Sequence, residues 1–285
     1  MEKLFFSVII PTFERPNDLK RCLLSLLKSN QLNSPSYEII VSDDSDTDKC
    51  RIVTENCFEA AWGKGKKIGP AGNRNAGAAR AKGEWIVFVD DDCIAQENYL
   101  EEYAKAILEN PSICVFEGRI FAERARMTWS ECCPENEDGG MLWTSNLCVK
   151  RSLFTKLGGL DERFTTSYED VDFAYRLKKG NHISIFVNKA AVCHPWRSLR
   201  RKNNKNWKAN WHEITSLLLF CEKYNYKNTE YSNAFIYLKN FLRIITKDIF
   251  FCITHLKLRG IDILIKDAII SLLVFFLLSI EKINK

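Results

Sequence analysis

Three adjacent carboxylates, Asp90-Asp91-Asp92, close a five-residue apolar run from Trp85 to Val89. Like charges this close repel one another, and a hard divalent cation is the usual relief. Mg²⁺ or Mn²⁺ held by one or two carboxylates plus diphosphate oxygens suits the ligand set. The triplet also reads as a solvated acidic turn, a reading weakened by its place behind an apolar strand. A second acidic group, Glu169-Asp170-x-Asp172, opens a helical pattern. The helix dipole favours carboxylates in a first turn, so capping accounts for them by itself. The chemical reading makes Asp170 a general base that takes the proton from an attacking hydroxyl. The cation would meanwhile stabilise a departing diphosphate.

These groups need a frame. Phe5 to Ile10 is a short apolar run closed by Pro11, the form of a buried strand. Pro16 opens a helix with Leu19, Leu23, Leu26 and Leu27 at helical spacing. Tyr37 to Val41 is a second strand, ending in Ser42-Asp43-Asp44-Ser45-Asp46. Gly69-Pro70-Ala71-Gly72 leads into a small-residue helix over Asn73 to Ala81, and Gly83 separates it from the strand before Asp90. A helix over Glu97 to Leu108 and a strand at Ile113 to Val115 follow. This alternation predicts an α/β fold with a mostly parallel sheet and helices on both faces. Polar residues follow the strands at Thr12, Asp43-Asp44 and Asp90 to Asp92, where the carboxyl ends of parallel strands form a ligand crevice. Farther on come a loop over Glu131 to Gly140, a strand at Ser145 to Val149, and a helix from Arg151 to Gly158-Gly159. A helix from Glu169 and two strands, Ile183 to Phe186 and Ala190 to Cys193, complete this block. From Trp207 onward the pattern is helical.

Composition sets bounds. With 46% apolar and 27% charged residues, the chain is an ordinary folded protein. Eleven cysteines are an odd number, no pair has C-x-x-C spacing, and the apolar start is too short for a cleavable signal. Reduced thiols in a cytoplasmic protein are the expectation, rather than a disulfide framework or a zinc site. Residues 197–285 hold 16 Lys/Arg against 7 Asp/Glu, a net of +9, while residues 1–196 hold 25 against 29, a net of −4. An acidic front suits a cation, and a basic tail suits anionic partners. The acidic crevice argues against nucleic acid as a partner.

Five segments in order resemble the family 2 glycosyltransferases, over roughly residues 5–196. They are Ser7-Val8-Ile9-Ile10-Pro11-Thr12-Phe13; Glu38 to Ser45; Gly69 to Gly77; Gly83 to Asp92; and Gly158-Gly159-Leu160-Asp161-Glu162-Arg163-Phe164 through Glu169-Asp170-Val171-Asp172. The resemblance implies a GT-A fold and sugar transfer from a nucleotide diphosphate to a hydroxyl, with inversion. Over this chain it implies a catalytic domain at 1–205, with a nucleotide-sugar half at 1–120 and an acceptor half at 121–205. A helical tail follows at 206–285. Pro11, Thr12 and Phe13 would line the base pocket, and Asp44, beside Asp43, would hydrogen-bond the base. Arg74 would hold base or phosphate. Asp90 falls on the ribose side with Asp91, Asp92 on the metal, and Asp170 is the base, with Glu169 beside it toward the acceptor. His194 stands where some relatives carry a metal-binding histidine, and a hydrogen-bonded structural role fits it equally well. As a ligand it would favour Mn²⁺ over Mg²⁺. The chain departs from the commonest pattern at Glu14, where asparagine is frequent, and after Asp43-Asp44, where glycine is.

Three features stay open at this level. Trp143, Thr144, Ser145 and Asn146 suit an acceptor sugar, and Trp143 suits core packing nearly as well. Arg197, Arg200, Arg201, Lys202 and Lys205, interleaved with Trp196, Trp207 and Trp211, read as a lid over the donor diphosphate, a site for a lipid-linked acceptor's phosphates, or a solvated loop. The apolar run Ala268 to Ile280 is too short to span a bilayer. It suits either interfacial attachment at the inner face of the cell membrane or packing on the catalytic domain or a second subunit. Two other functions remain as alternatives, a catalytically silent nucleotide-sugar or glycan-binding protein and a sugar-phosphate nucleotidyltransferase. The first loop, Pro11 to Arg15, lacks the glycines of the latter.

Overall fold

The computed structural model describes residues 5–57, 59–128, 131–198, 206–224, 234–249 and 261–283. Strands β1 (Phe6–Thr12), β2 (Tyr37–Asp43) and β4 (Trp85–Val89) are apolar runs buried on both faces, as central parallel strands are. β1 lies between the other two and parallel to both, in registers that pair Thr12 with Asp43 and Phe6 with Trp85. β3 (Ala60–Lys64) adds in parallel beyond β2. On the other side, β8 (Asn146–Lys150) runs antiparallel to β4, and β6 (Val115–Ala122) antiparallel to β8. β9 (Ser184–His194) runs parallel to β6, and the two-residue β5 (Ile94–Ala95) closes that edge. The result is one mixed, mostly parallel sheet in the order 3-2-1-4-8-6-9-5.

Successive side chains of a strand point to opposite faces, so β1 serves two cores. Phe6, Val8 and Ile10 pack with Leu19 and Leu23 of α1 (Pro16–Ser25) and with Tyr99 and Tyr103 of α4 (Tyr99–Glu109). Ile9 packs with Ala71 of α3 (Pro70–Ala78), Phe154 of α5 (Arg151–Lys156) and Phe173 of α6 (Glu169–Lys179). The sheet is thus covered on both faces, as the alternation of elements predicts.

Some elements differ from the sequence reading. Helix α2 (Lys49–Glu55) and β3 are absent from it. β3 reads Ala-Ala-Trp-Gly-Lys, without a β-branched residue, and main-chain pairing with β2 makes it a strand. The two strands expected at 183–186 and 190–193 are a single strand, β9, with an irregularity. Gly118 of β6 pairs with Val187 and the next residue, Arg119, with Ala191, so Asn188, Lys189 and Ala190 bulge between them. A Cβ on Gly118 would collide with the Ala190 carbonyl and the Asn146 amide. Asn146 locks this junction. Its Oδ1 accepts from the hydroxyls of Tyr99 (2.8 Å) and Tyr103 (2.6 Å), and its Nδ2 donates to the carbonyls of Arg119 (2.8 Å) and Ala190 (2.9 Å).

The chain divides into two compact units, residues 1–123 with 134–195, and residues 124–133 with 196–285. Trp196, Arg197 and Ser198 therefore group with the helices. In the second unit, β7 (Glu131–Cys132) pairs antiparallel with β10 (Arg197–Ser198). Helices α7 (Asn206–Lys223), α8 (Ala234–Arg243) and α9 (Ile261–Ile283) follow, with a π-helical segment, Ile244–Ile249, after α8. Ile244 packs on Leu264 and Ala268, and Asn240 Nδ2 donates to Ser271 Oγ at 2.9 Å. Among the described residues, no helix is long and apolar enough to cross a membrane.

Replacing Asn146 by alanine removes the side-chain partner of the buried Tyr99 hydroxyl and of the Arg119 and Ala190 carbonyls, while the Tyr103 hydroxyl keeps the residue 146 main-chain carbonyl at 3.3 Å. Asn146→Ala should cost about 3 kcal/mol or more in urea denaturation, and a loss near zero would contradict the junction's role.

Candidate active site

The parallel registers set the carboxyl ends of β1, β2 and β4 side by side. The Thr12 carbonyl accepts from the Asp44 main-chain N–H (3.0 Å) and from Asn73 Nδ2 (3.1 Å), which straps the first turns of α3 onto the crevice. Thr12 Oγ1 donates to Asp91 Oδ2 (2.7 Å), and Arg15 Nη1 donates to Asp91 Oδ1 (2.9 Å). Arg15 Nη1 also lies 3.8 Å from Asp92 Oδ2. Burial pushes the Asp91 carboxyl up to about 7, with Asp92 and Asp90 reinforcing it and Arg15 and Thr12 opposing it.

Arg74 joins distant parts of the chain. Its Nη2 donates to Asp90 Oδ1 at 2.6 Å and its Nη1 to Glu169 Oε1 at 3.0 Å, so β4's end meets the opening of α6. Arg74 and Glu169 are both buried. Burial works against the Asp90 carboxylate, but Arg74 outweighs it and holds the pKa below the ordinary value. Glu169 goes the other way. Burial raises it to about 7, because the one guanidinium is shared and Asp170 adds repulsion. Glu169 Oε2 is buried without a hydrogen-bond partner. Asp170, next in the helix and half-buried, is raised as well, chiefly by burial. Asp172 points elsewhere, bonding Arg176 Nε at 2.8 Å while Arg176 also donates to the carbonyls of Leu157 and Gly159.

On the β2 side, Asp44 is buried, its carboxyl is raised chiefly by that burial, and its Oδ1 accepts from the Lys67 N–H at 2.9 Å. A Cβ on Gly65 would strike Asp44 Oδ1 and Asn73 Oδ1, so the residue facing these oxygens must be glycine. Asp43 is a brace, accepting from Ser45 N–H (2.8 Å) and Trp62 Nε1 (3.0 Å). Pro11 is half-buried and Phe13 is 55% exposed. Glu14, at φ 53°, takes hydrogen bonds from the N–H groups of Asp46 and Thr47 and from the Thr47 hydroxyl, and donates its own N–H to Ser45 Oγ. This departure from the common asparagine ties the β1 and β2 loops together.

Asp92 and His194 meet at the far end of the crevice, Oδ2 to Nε2 at 3.3 Å, both buried. Adjacent ligands of an octahedral cation lie about 3 Å apart, given oxygen distances near 2.1 Å, so the spacing fits a shared ion. His194 Nδ1 lies 2.8 Å from the Pro195 carbonyl, which can only accept. The Nδ1 proton is thereby fixed and Nε2 is turned to Asp92, the arrangement that orients a metal-binding imidazole. Cys93 shares the cluster, with ligand atoms within 4.8 Å of one another. Its thiol is buried, which raises it well above the ordinary value, and it contacts the Ser145 carbonyl at 3.9 Å, so it stays a thiol. One carboxylate oxygen and one imidazole nitrogen, completed by phosphate oxygens, fit Mn²⁺ or Mg²⁺.

Thr144 and Ser145 are buried, and Trp143 is half-buried against the core. All four hydrogen-bonding positions of Asn146 are taken up inside the sheet. Arg197 belongs to the second unit, and Arg200 and Arg201 lie outside the described residues. Two crevice residues escaped the sequence reading, Arg15 and Asn73. The signal for Arg15 is a lone cation just past β1, whose parallel neighbours β2 and β4 run into carboxylates.

The raised Glu169 gives a pH signature. The folded chain keeps a proton that the unfolded chain releases between pH 4.5 and 7, so this stabilisation is full below 4.5 and lost as pH rises through 7. That interval corresponds to on the order of 3 kcal/mol. Glu169→Gln, a neutral isostere, should match the parent's thermal midpoint near pH ~5 and exceed it near pH ~8. Parallel pH dependences for the two proteins would refute the shift.

The sequence matches Glycosyl transferase family 2 over residues 7–180. An uncharacterized glycosyltransferase of Haemophilus influenzae is 29% identical over 188 residues, 60% of this chain and 61% of that protein. The GalNAc(5)-diNAcBac-PP-undecaprenol beta-1,3-glucosyltransferase of Campylobacter jejuni is 38% identical over 92 residues, 30% of this chain and 29% of that one. The match thus spans less than two thirds of these relatives' length. Among solved structures, S. aureus TarS superposes with a TM-score of 0.56 at 22% identity, over 76% of this chain and 40% of that one. TarS 1-349 in complex with UDP-GlcNAc gives 0.55 at 20% identity, over 76% and 67%. At such identities the likeness speaks for the fold alone, and it is the GT-A fold expected from the sequence. With more than half of its length matched, the chain belongs to Glycosyl transferase family 2.

Proposed function

We propose that the chain is an inverting glycosyltransferase that moves a sugar from a nucleoside diphosphate to a hydroxyl of a glycan or lipid-linked acceptor in cell-surface polysaccharide or glycolipid synthesis. The observation that carries this reading is the Arg74 bridge, which ties the acidic end of β4 to the acidic opening of α6. The UDP-GlcNAc bound to TarS and the undecaprenol-linked acceptor in the Campylobacter relative's name support the two substrate classes.

Asp44 holds the donor's base, with Pro11, Thr12 and Phe13 around it, and Asp90 takes the ribose side. Asp92 and His194 would hold Mn²⁺ or Mg²⁺, which when bound offsets the charge that builds on the leaving diphosphate. Asp170 accepts the acceptor's hydroxyl proton as the oxygen attacks the anomeric carbon and the bond to the diphosphate breaks. A single displacement inverts that carbon. Burial raises the carboxyl of Asp170, which makes it a stronger base once ionised. Glu169, clamped by Arg74, orients the helix opening beside the acceptor.

The test begins with thermal shifts in UDP, GDP and dTDP, with and without MnCl₂, followed by turnover of the matching nucleotide sugars. The Mn²⁺-dependent shift should disappear in Asp92→Ala. Asp170→Asn should keep donor binding and lose about 10²- to 10⁴-fold in turnover. The parent's rate should fall on the acid side as Asp170 takes up its proton. Full turnover by Asp170→Asn would overturn the assignment of the base. Nucleotide binding without any sugar transfer or hydrolysis would make the chain a binding protein.

A further inference from the structure

Helix α9 has two unlike faces. Leu264, Ala268, Ser271 and Val274 are buried, Leu264 and Ala268 against Ile244. Ile265, Ile269, Leu273 and Phe276 recur at helical spacing on another face and are 42 to 51% exposed. At 1.5 Å per residue the stripe is about 16 Å long. On the segment that packs against α9, Leu242 and Ile245 are exposed beside exposed Lys239 and Arg243. Large apolar side chains lined up in this way mark a contact surface.

Charge decides between the candidate occupants. A two-fold contact sets one patch against its own copy, which would bring the patch carrying Lys239 and Arg243 against an equally basic patch. Residues 234–283 hold 7 Lys/Arg against 4 Asp/Glu, a net of +3, so self-contact of this surface sets like charge against like. A surface of anionic lipid headgroups reverses the sign and also accepts the apolar stripe. The uncharged, mostly apolar run Ala268 to Ile280 is bounded by Lys266-Asp267 and Glu281-Lys282, and no described helix is long and apolar enough to cross a membrane. We infer that the α8–α9 surface lies flat on an anionic bilayer, with Ile265, Ile269, Leu273 and Phe276 at the acyl boundary and Lys239 and Arg243 at the phosphates. The inference rests on the proposed sugar transfer only for its purpose, which is to bring the enzyme to a lipid-linked acceptor.

Flotation of the full chain tests this, using vesicles of phosphatidylcholine alone and of phosphatidylcholine with phosphatidylglycerol. Binding is expected to the mixed vesicles, roughly tenfold weaker to the neutral ones, and weakened by added NaCl. Leu273→Glu with Phe276→Glu should abolish it. Lys239→Gln with Arg243→Gln should weaken it at low salt while leaving the melting transition and the Mn²⁺-dependent shift intact. Absence of binding, equal binding to both vesicles, or indifference to either pair of substitutions would overturn the inference. So would a dimer in gel filtration that Phe276→Glu dissociates. A chain that turns over a nucleotide sugar but ignores vesicles loses this surface alone, whereas one that binds vesicles without turnover loses only the proposed activity.

Discussion

One buried guanidinium organises the crevice. Arg74 reaches Asp90 at the end of β4 and Glu169 at the start of α6, groups 79 residues apart in the chain. Removing such a cation would leave carboxylates unpaired in a medium that solvates charge poorly. The pair is also unequal. Arg74 holds Asp90 ionised, while Glu169 and Asp170 are left raised by burial. At the other end Arg15 serves Asp91 and lies near Asp92. Five carboxylates, Asp90, Asp91, Asp92, Glu169 and Asp170, thus share two guanidinium groups. A site short of positive charge favours the arrival of a divalent cation, and the spacing of Asp92 and His194 is compatible with one.

Around this charged centre stand residues that touch no reacting group and yet define its shape. Glu14 joins the loops after β1 and β2. Asp43 braces β2 against Trp62 of β3. Glu117, buried in β6, gathers the main-chain N–H groups of Met141 and Leu142 with the Asn136 amide, and so fixes the loop that leads to Trp143. Asn146 does the same work one strand over. Buried polar groups with every hydrogen bond made rigidify a fold, and here they surround the crevice.

The two units differ in electrostatic character as well as in architecture. The sheet-bearing unit concentrates carboxylates at the ends of its parallel strands, whereas the helical unit exposes apolar side chains among cations. This is the physical form of the charge asymmetry along the chain, acidic before residue 197 and basic after it.

Much of the sheet-bearing unit was legible in the residues. Apolar runs at Phe5 to Ile10, Tyr37 to Val41 and Trp85 to Val89 have the form of buried strands, the structure has strands at all three, and the carboxylates behind the second and third lie at the carboxyl ends of parallel strands. Those are local consequences of side-chain periodicity and backbone direction. Tertiary structure alone decided that β3 is a strand, since its Ala-Ala-Trp-Gly-Lys sequence carries no preference and its partner β2 supplies one. It also decided that β9 is continuous through a bulge, that Asn146 is spent inside the sheet, and that Arg74 rather than a nearer cation bridges Asp90 and Glu169. Periodicity reports what one segment buries, but a hydrogen bond or ion pair between segments depends on distances that exist only after the chain has closed on itself.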